Sequence, residues 1–447
     1  SMESIQQQFS SKANFGKNDV STTISRNGDL VSSMYLEVNL PACPSGWSWI
    51  DGVGHRLIKN VRVNLGGDTI DEHTGRWLEI WDQLTHDESM QAVYKEMVGD
   101  LGGAGAGKRI KMFIPLQFWF NRNPGLALPL IALQYHEVKI VFNFEELKKL
   151  VKAPAAGAWD ATWLNDPNDG YASTFTVGTV ASTVADATTW FGELNTATSS
   201  TLDAKLYVDY IYLDTEERKR FSQMSHEYLI DQLQIQGKDT ITSFNHRTRL
   251  NFNHPVKELV WVLEAPEHTD QGYTGPSLTE WGDFAQREDS TSIHEWLKDA
   301  KLQINGHDRF TKRDSRYFRR VQPYQHHTGA PSVPVYCYSF ALRPEEYQPS
   351  GTCNFSRIDN AYLDINLKAW VKDVDYTVLG SAAPPGGQGD IIKAYYASGG
   401  GYNQNSGTVT LDATPWDSSQ KLYVYVHAVS YNVLKIVSGR GGLAYSN

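Results

Sequence analysis

Residues Gly102–Arg109, GGAGAGKR, have the spacing of a loop that could bind the phosphates of a nucleotide. Gly102, Gly107 and Lys108 fit the fixed positions of the GxxxxGK[ST] pattern. In such loops the backbone N–H groups and a helix N-terminus bind the anion, and a Ser or Thr hydroxyl binds Mg²⁺. Here Arg109 stands where that hydroxyl is needed. The pattern is therefore incomplete at the position that binds the metal.

The elements around this loop are predicted in the wrong order for nucleotide binding. A phosphate-binding loop follows a buried strand and leads into a helix. Here Tyr94–Leu101 (YKEMVGDL) is typical of a helix end, and Ile110–Phe120 alternates as a strand does. We therefore predict a flexible glycine connection rather than the active site of an NTPase.

Histidine and glutamate stand side by side at three places without completing a metal motif. None of these pairs extends to HExxH, and the sequence contains no GxSxG. His326 and His327 lie in a predicted loop, where we expect them to face solvent. We therefore predict no catalytic residue, no metal ligand and no cofactor. The three pairs are His136-Glu137, His226-Glu227 and His294-Glu295.

Two further polar segments could be mistaken for sites. Asn354 begins the only glycosylation sequon, but it lies in a strand-rich segment, so we expect a structural role rather than modification. Asn121–Gly125 (NRNPG) is typical of a turn between two buried strands. Pro344–Gly351 occupies the corresponding place later in the chain. Both segments are predicted to be turns rather than binding sites.

The composition is that of a soluble globular protein with an acidic balance. The 447 residues carry a formal net charge of −10, which opposes attraction to nucleic acid at long range. Cys43, Cys337 and Cys353 form no CxxC pair, and we expect buried thiols in a protein assembled in a reducing compartment. The start has no signal-peptide character, and the longest apolar run, GLALPLIAL, is too short to span a membrane. We expect no nucleic-acid partner and no direct insertion into a membrane.

Alternation with a period of two dominates the chain and indicates β-structure. It is clearest in Leu36–Leu40, Val61–Leu65, Ile110–Phe120 and Ala361–Val371. Side chains of a strand point alternately to opposite faces, so this pattern predicts sheets with one buried face. Pro115 has no N–H donor, which predicts a bulge or an edge position for its strand.

Helical patterns are few and short. Gly75–Leu84 (GRWLEIWDQL) places four large apolar residues at helical spacing. Thr85 with Glu88, and Ser292 with Glu295, have the spacing of capping boxes and predict two further helix starts. We expect these helices to be insertions between strands.

A weak internal repeat predicts two similar units in tandem. Lys205–Leu213 (KLYVDYIYL) echoes Lys421–Val429 (KLYVYVHAV), and Arg62–Asp68 (RVNLGGD) echoes Leu302–Asp308 (LQINGHD). The charged segment Asp214–Tyr228 follows the last strand of the first copy and marks the seam.

The predicted fold class is therefore all-β, with two antiparallel units and short helices in the loops. We place the units at residues 1–215, with long inserted loops, and 216–447, which includes the linker. Each is large enough to bury its own core.

Two long segments, Phe113–Ile140 and Tyr338–Leu363, resemble major capsid proteins of nucleocytoplasmic large DNA viruses. The resemblance is greatest to those of algal viruses such as the chloroviruses, and it covers nearly the whole chain in the order of the family. The further matching segments are Ser21–Leu30, Asp209–Phe221, His226–Gln234, Arg249–Leu259, Tyr317–Gln325 and Tyr431–Tyr445.

This resemblance implies a double jelly roll and a structural role without catalysis. It implies a homotrimer that forms a pseudo-hexagonal capsomer in the icosahedral shell of a large double-stranded DNA virus. Neighbouring capsomers, penton proteins and minor capsid proteins would be the partners. The protein would be synthesised in the host cytoplasm and located in the outer shell of the virion. We expect Asp68–Arg109 and Ala153–Thr201 to lie at the outer surface and in contacts between subunits.

The chain departs from the family pattern at its beginning and in two loops. Family members carry an N-terminal arm, whereas almost nothing precedes Glu3, and we expect that the arm was trimmed. Ala153–Thr201 and Gly380–Asp417 differ from the chlorovirus loops. One alternative from another class stays open: a carbohydrate-active β-sandwich, either a lectin or a glycosidase. The 13 Trp and 23 Tyr residues of the chain could stack on sugars. Hydrolysis of a glycosidic bond would further need two carboxylates about 5–10 Å apart in a cleft.

Overall fold

The computed structural model consists of two similar sets of β-strands that follow one another along the chain. It describes residues 1–43, 48–100, 109–152, 202–264, 284, 286–287, 293–368, 402–403, 408–409 and 422–446. The loop Gly102–Lys108 and nearly all of Ala153–Thr201 and Gly380–Asp417 lie outside these residues.

The first set of strands precedes residue 212. These strands are β1 (Met2–Gln7), β2 (Val20–Thr23), β3 (Leu30–Leu40), β4 (Ser48–Trp49), β5 (Ile58–Leu65), β6 (Asp68–Thr74), β7 (Ile110–Pro115), β8 (Leu128–Pro129), β9 (Val138–Phe144), β10 (Val151–Lys152) and β11 (Asp203–Ile211).

The second set begins at residue 226. These strands are β12 (His226–Ile241), β13 (Asn245–Arg249), β14 (Pro255–Glu264), β15 (Gln286–Arg287), β16 (Ile293–His294), β17 (Leu297–Ile304), β18 (His307–Asp308), β19 (Arg313–Asp314), β20 (Tyr336–Ser339), β21 (Cys353–Asn354), β22 (Ala361–Leu367), β23 (Tyr402–Asn403), β24 (Thr408–Val409), β25 (Leu422–Val437) and β26 (Arg440–Leu443).

Short helices lie between the strands. They are α1 (Val53–Leu57), α2 (Gly75–Thr85), α3 (Glu88–Val98), α4 (Trp119–Arg122), α5 (Thr215–Gln223) and α6 (Gln322–His326), and the π-turn Tyr317–Val321 leads directly into α6. Single 3-10 turns occur at Pro124–Leu126, Leu130–Ala132, Leu147–Lys149 and Phe355–Arg357.

Each set of strands forms two antiparallel sheets that enclose a core. In the first set the sheets have the strand orders β1-β11-β3-β7 and β2-β9-β5-β6. In the second set the orders are β12-β25-β14-β20 and β13-β22-β17-β18. Chain positions match one for one between the two sets, so each set is an eight-stranded jelly roll. The predicted all-β double jelly roll is confirmed.

The internal repeat of the sequence corresponds to equivalent strands. The motif that begins KLYV lies in β11 and in β25, each the second strand of its sheet. The other repeated motif begins in β5 and in β17, which are also equivalent strands. The turns after β5 and β17 both have two residues with positive φ: Gly66 and Gly67, then Asn305 and Gly306. This conformation matches the twist of a two-residue hairpin and favours Gly and Asn.

Two sequence predictions about β7 have different outcomes. The predicted strand Ile110–Phe120 is too long, because β7 ends at Pro115 and α4 begins at Trp119. The edge position predicted from Pro115 is confirmed, since β7 is the last strand of its sheet and Pro115 pairs only with Tyr35. The missing N–H of proline therefore leaves no gap between strands.

Of the three predicted helices, the first two are present and the third is not. The helix predicted over Gly75–Leu84 is α2. The capping box of Thr85 is wrong: α3 begins at Glu88 after Asp87, and the Thr85 hydroxyl donates to the carbonyl oxygen of Trp81 within α2. The box at Glu295 is also wrong, because the chain enters β17 there and the buried Glu295 carboxylate accepts a hydrogen bond from Ser315.

The two cores lie between the paired sheets, but the second set of strands also reaches the first core. Leu36, Val63 and Phe142 are buried in the first core, and Trp261 and Leu363 in the second. Residues from one end of the β12–β25 pair, the start of β12 and the end of β25, join the first core: Ile230, Leu434 and Ile436. The two jelly rolls therefore share apolar contacts at their junction.

Candidate functional interface

Helix α2 of the first jelly roll covers the outer face of a sheet in the second. This face of β12-β25-β14-β20 is called the covered face here. A cluster of buried side chains joins α2 to this sheet, so the two jelly rolls are held together by a continuous apolar contact. From α2 the cluster contains Trp77, Ile80, Trp81 and Leu84, from the sheet Val260, Val262, Cys337, Tyr423, Tyr425 and Val429, and from outside the sheet Phe284, Val333 and Val335.

The cover explains why two strands of this sheet do not alternate in burial. Every residue of Val256–Glu264 in β14 and of Leu422–Asn432 in β25 is buried. Leu259 and Trp261 point into the second core, whereas Val260 and Val262 point towards α2. A sheet with both faces covered selects apolar side chains on both, which produces a continuous apolar run.

Arg76 at the start of α2 forms a buried ion pair across the junction. Its Nη2 and Nε atoms lie 2.7 Å and 2.9 Å from Oε2 of Glu264, which ends β14. The Glu264 side chain is 1% exposed, and the Arg76 guanidinium also lies 3.6 Å from the ring centroid of Tyr425. The charge of Glu264 is thus compensated by a residue of the other jelly roll.

Asp231 of β12 is a second point where charges meet at the junction. Its carboxylate lies 3.0 Å from the buried ammonium of Lys257 and 3.3 Å from a guanidinium nitrogen of Arg122, which ends α4. The Arg122 guanidinium also stacks over the ring of Trp81 at 4.7 Å. Asp231 therefore forms ion pairs with a lysine of its own jelly roll and with an arginine of the other.

Strand β6 of the first jelly roll bonds directly to β12. The backbone N–H of Leu233 donates to Oδ1 of Asp71 at 3.1 Å, and the Gln232 amide donates to the carbonyl oxygen of Ile70 at 2.5 Å. Oδ2 of Asp71 lies 3.2 Å from Nε2 of His73. These bonds fix the sliding position of the two jelly rolls, which apolar packing alone does not specify.

The segment after α6 attaches to the C-terminal end of α2. The N–H of Gly329 donates to the carbonyl oxygen of Leu84 at 2.7 Å, and the N–H of Ser332 donates to Oε1 of Gln83 at 3.0 Å. The last carbonyls of a helix lack partners within the helix. The second jelly roll therefore supplies a hydrogen-bond donor for one of the terminal carbonyl groups of α2.

His327 lies in this segment and does not face solvent as predicted. Its side chain is fully buried, with Nε2 at 2.7 Å from Glu258 and Nδ1 at 2.9 Å from Glu345. Burial alone would lower the pKa of His327, but the charge of Glu258 and the hydrogen bonds to Cys337, Glu258 and Glu345 raise it well above its usual value. The neighbouring His326 is partly exposed and bonds to the carbonyl oxygen of Leu342.

His427 of β25 has the opposite protonation behaviour. Burial and the nearby charge of Arg76 lower its pKa to about 3. Its ring lies beside that of Trp77, with centroids 5.4 Å apart, and Nδ1 lies 3.3 Å from the carbonyl oxygen of Val260. His427 is therefore a neutral packing residue at neutral pH.

The start of α2 is placed by a close backbone contact. A Cβ atom on Gly75 would lie 2.2 Å from the carbonyl oxygen of His55 and 2.5 Å from that of Ile58. Thr74 caps the helix by accepting a hydrogen bond from the N–H of Trp77 at 3.2 Å. These contacts fix the origin of the helix that crosses to the second jelly roll.

The described side chains of the histidine–glutamate pairs do not meet in space to form a site. His136 Nδ1 contacts the backbone of Gly441, and His226 Nε2 donates to the carbonyl oxygen of Phe221. Glu295 holds Lys368 at 3.0 Å. Within the described part of the chain, no three His, Cys, Asp or Glu side chains are placed to hold a metal ion.

The other sequence candidates occupy structural positions. Asn354 is exposed, and its Oδ1 accepts a hydrogen bond from the N–H of Ser356 at 3.1 Å, which begins a 3-10 turn. Asn123 does the same for Gly125 at 2.9 Å. The order helix, then loop, then strand around Gly102–Lys108 agrees with the prediction, since α3 ends at Val98 and β7 begins at Ile110. Among the described residues, no helix combines the length and apolar composition needed to cross a membrane.

The segment Asp68–Arg109, predicted to lie at the outer surface and in contacts between subunits, is not exposed throughout. Its residues Trp77, Ile80 and Leu84 are buried against the second jelly roll of the same chain, whereas the place of the segment in a shell stays a prediction. The charged residues of the junction were not anticipated. The available signal was the run VKELVWVLE at Val256–Glu264, in which charged residues interrupt a strand that is otherwise apolar on both faces.

Comparison with known proteins identifies the family. The description "Major capsid protein N-terminus" matches residues 1–214, and "Large eukaryotic DNA virus major capsid protein" matches residues 217–382. The major capsid protein of Pyramimonas orientalis virus is 39% identical, with 100% of this chain and 91% of the relative covered. This chain belongs to the major capsid proteins of large eukaryotic DNA viruses.

Other relatives agree with this assignment. The major capsid protein of Paramecium bursaria Chlorella virus 1 is 35% identical, again with 100% of this chain and 91% of the relative covered. A solved structure of the PBCV-1 capsid matches with a TM-score of 0.71 and 34% identity, covering 100% of this chain and 97% of that one. The Faustovirus major capsid protein, 13% identical with a TM-score of 0.69, covers 98% of this chain and 90% of its own and shares the fold.

The predicted resemblance is thus confirmed, and the protein is a structural component of viral capsids. The carbohydrate-active alternative receives no support from these comparisons. The junction joins its two jelly rolls by an apolar cluster, a buried ion pair and hydrogen bonds between strands.

Proposed function

We propose that this major capsid protein is a homotrimer that forms a pseudo-hexagonal capsomer in the icosahedral shell of a large double-stranded DNA virus. The observation that carries the proposal is the duplicated strand order, β1-β11-β3-β7 repeated as β12-β25-β14-β20 within one chain. Three chains with two similar jelly rolls each supply six similar units around a threefold axis. Such a ring has a nearly hexagonal outline, which can tile a surface.

The junction supports this role because a tile must transmit force without changing shape. The apolar cluster of α2, the Arg76–Glu264 pair and the bonds between β6 and β12 act at separate points of the junction. Contacts at several points oppose rotation as well as separation of the two jelly rolls. A hinge between them would instead leave the six units free to depart from the hexagonal outline.

We infer that the units are residues 1–215 and 216–447. The two family descriptions meet at the same place, between residues 214 and 217. Helix α5 lies at this point, capped by Asp214, whose side chain accepts a hydrogen bond from the N–H of Glu217 at 2.9 Å. It has no buried residue and so serves as a connection between the jelly rolls.

We further propose that the protein acts without catalysis or cofactor, with neighbouring capsomers, penton proteins and minor capsid proteins as partners. It would be synthesised in the host cytoplasm and located in the outer shell of the virion, without contacts to nucleic acid or insertion into a membrane. Asn354 would have a structural role, since its side chain already caps a turn. The named relatives that match over the whole chain are capsid proteins, which supports these inferences.

The mass and outline of the purified particle test the proposal. Size-exclusion chromatography with light scattering is expected to give three times the chain mass of 50.2 kDa. Class averages from negative-stain microscopy are expected to have threefold symmetry with a hexagonal outline. A monomer at micromolar concentration, or a ring of another order, would contradict the proposed function.

A further inference from the structure

Among the described residues, the outer faces of the two equivalent sheets differ in one respect: a helix covers only one of them. The covered face of β12-β25-β14-β20 lies under α2. The outer face of β1-β11-β3-β7, called the open face here, bears Tyr35, Phe113 and Tyr207, each only partly buried. The same kind of sheet therefore has a helix on it in one jelly roll and none from the described residues in the other.

The open face carries a row of aromatic side chains across three adjacent strands. The rings of Tyr35 and Tyr207 are stacked with centroids 5.2 Å apart, and Phe113 meets Tyr35 edge-on at 6.0 Å. These strands pair directly: Tyr35 lies opposite Tyr207, and Phe113 lies opposite Glu37. Contiguous aromatic residues on a sheet face are typical of surfaces that another element covers.

A second helical segment lies where α2 lies in the first jelly roll. Helix α2 follows β6 and precedes β7, and Tyr317–His326 lies between β19 and β20, the equivalent connection. On its inner side, Phe318 is buried in the second core, as Leu78 of α2 is buried in the first. The two segments are therefore equivalent in position and in how they attach to their own jelly roll.

The outer side of this second segment is apolar and exposed. Val321 is 40% exposed and Tyr324 is 89% exposed, three residues apart and so on one side of the helix. Leu342, 71% exposed, lies next to them, since its carbonyl oxygen is 2.8 Å from Nδ1 of His326. We call Val321, Tyr324 and Leu342 the apolar patch. The matching side of α2 holds tryptophans that are buried in the junction.

We propose that the apolar patch of one copy packs on the open face of a second copy, repeating between chains the contact that α2 makes within a chain. This inference rests on the proposed homotrimer and names the surfaces that form it. Each chain has one open face and one apolar patch, so the contact is heterologous, and in the proposed threefold-symmetric trimer it closes into a ring. The contacts within and between chains then alternate around the ring.

The charges of the two surfaces have opposite sign. Residues 309–326 contain six Lys and Arg residues and a single Asp, although the whole chain has a net charge of −10. On the open face Glu37 is already paired with Lys111 at 3.2 Å, which leaves Asp203 and Asp209 against Lys205 and a small negative excess. An arginine-rich segment approaching this face from a second copy gains attraction rather than repulsion.

Substitution of the exposed tyrosine tests the proposal with little risk to folding. We expect Tyr324→Asp to raise the protein concentration at half-dissociation of the trimer at least about tenfold, because central aromatic contacts dominate such interfaces. Tyr207→Arg on the open face is expected to have a similar effect, since it meets the arginine-rich segment. Analytical ultracentrifugation of the full chain measures both. Tyr135→Asp is the matched control, because Tyr135 is 71% exposed and lies on neither surface.

Cross-linking then tests the contact itself. In a Cys353→Ser background, Tyr324→Cys combined with Tyr35→Cys is expected to give covalent species of up to three chains with a short bismaleimide. Each single variant is expected to give none, because the remaining Cys43 and Cys337 are buried.

The possible outcomes separate the two proposals. A wild-type protein that is not a trimer would overturn the proposed function. A wild-type trimer that Tyr324→Asp and Tyr207→Arg both leave intact would overturn this inference alone. So would variants that stay trimeric but fail to bind other virion proteins, because the surfaces would then belong to those partners.

Discussion

The Arg76–Glu264 pair allows a quantitative test of the junction. In Arg76→Met the Glu264 carboxylate, 1% exposed, would lose its compensating charge. Removing one partner of a buried ion pair costs about 3–5 kcal/mol, and losing the guanidinium from the Tyr425 ring adds about 1 kcal/mol. Because Arg76 is 18% exposed, water screens part of this interaction, and we take about 3 kcal/mol in total.

A double-mutant cycle separates the pair from the packing around it. Glu264→Gln alone is expected to cost less than Arg76→Met, because Arg76 can then turn towards water. The double variant Arg76→Met with Glu264→Gln is expected to be more stable than the sum of the single effects predicts, by about 2 kcal/mol. This difference is the coupling between the two jelly rolls at that point.

Thermal unfolding followed by circular dichroism measures these effects. For a jelly roll of about 200 residues, 3 kcal/mol corresponds to a fall in melting temperature of roughly 6–12 °C. Lys139→Met is the control, since the Lys139–Glu137 pair is 3.4 Å long and exposed, and little change is expected. Two results would refute the reasoning: a melting temperature of Arg76→Met equal to that of Lys139→Met, or a double variant whose loss of stability equals the sum of the two single losses. Either would mean that the junction does not depend on this ion pair.

Three further results are expected. Raising the pH through the elevated pKa of His327 should lower the melting temperature, because stability from its ion pairs is complete below pH 6.5 and is lost as the folded-state imidazolium deprotonates; His327→Gln should flatten this alkaline slope. Gly75→Ala should destabilise by about 3 kcal/mol in denaturant unfolding, because its Cβ would meet backbone carbonyls, whereas Gly442→Ala has open space and should be neutral. Iodoacetamide at pH 8 should modify Cys353 faster than Cys43 in the native protein, as judged by mass spectrometry. Cys353 is only half-buried, and although burial raises the pKa of both thiols, it raises that of Cys43 to about 12.

The sequence predicted the jelly rolls well because their strands obey local rules. Period-two alternation located β3, β5 and β22, and the repeat identified strands that occupy equivalent places. The end of β7 was missed because Leu116, Phe118 and Phe120 continue the alternation through a turn and α4, where burial comes from tertiary packing. Alternation reports which residues are buried and does not by itself report the backbone conformation.

The junction was less predictable because its partners are far apart in the chain. Arg76 and Glu264 are 188 positions apart, and neither has a local motif that identifies the other. His327 was expected in solvent because it lies in a predicted loop. Its side chain is instead buried against Glu258 of a distant strand, whose charge favours the protonated imidazolium. The capping boxes predicted at Thr85 and Glu295 do not form, because the Thr85 hydroxyl donates to the carbonyl oxygen of Trp81 and the Glu295 carboxylate accepts a hydrogen bond from Ser315. The ion pair and the burial of His327 could not be predicted from local patterns, because they depend on contacts between elements that are distant in the chain.

The sheet with two covered faces has a consequence for biosynthesis. Helix α2 leaves the ribosome well before β14 and β25, and at roughly 5–20 residues per second the delay is on the order of tens of seconds. During that interval Trp77 and Trp81 of α2 lack the sheet that buries them in the complete chain, so they would be exposed on a first jelly roll that folds before the second is made. Gene fragments that end between the two jelly rolls should therefore yield protein that aggregates more readily than the full chain.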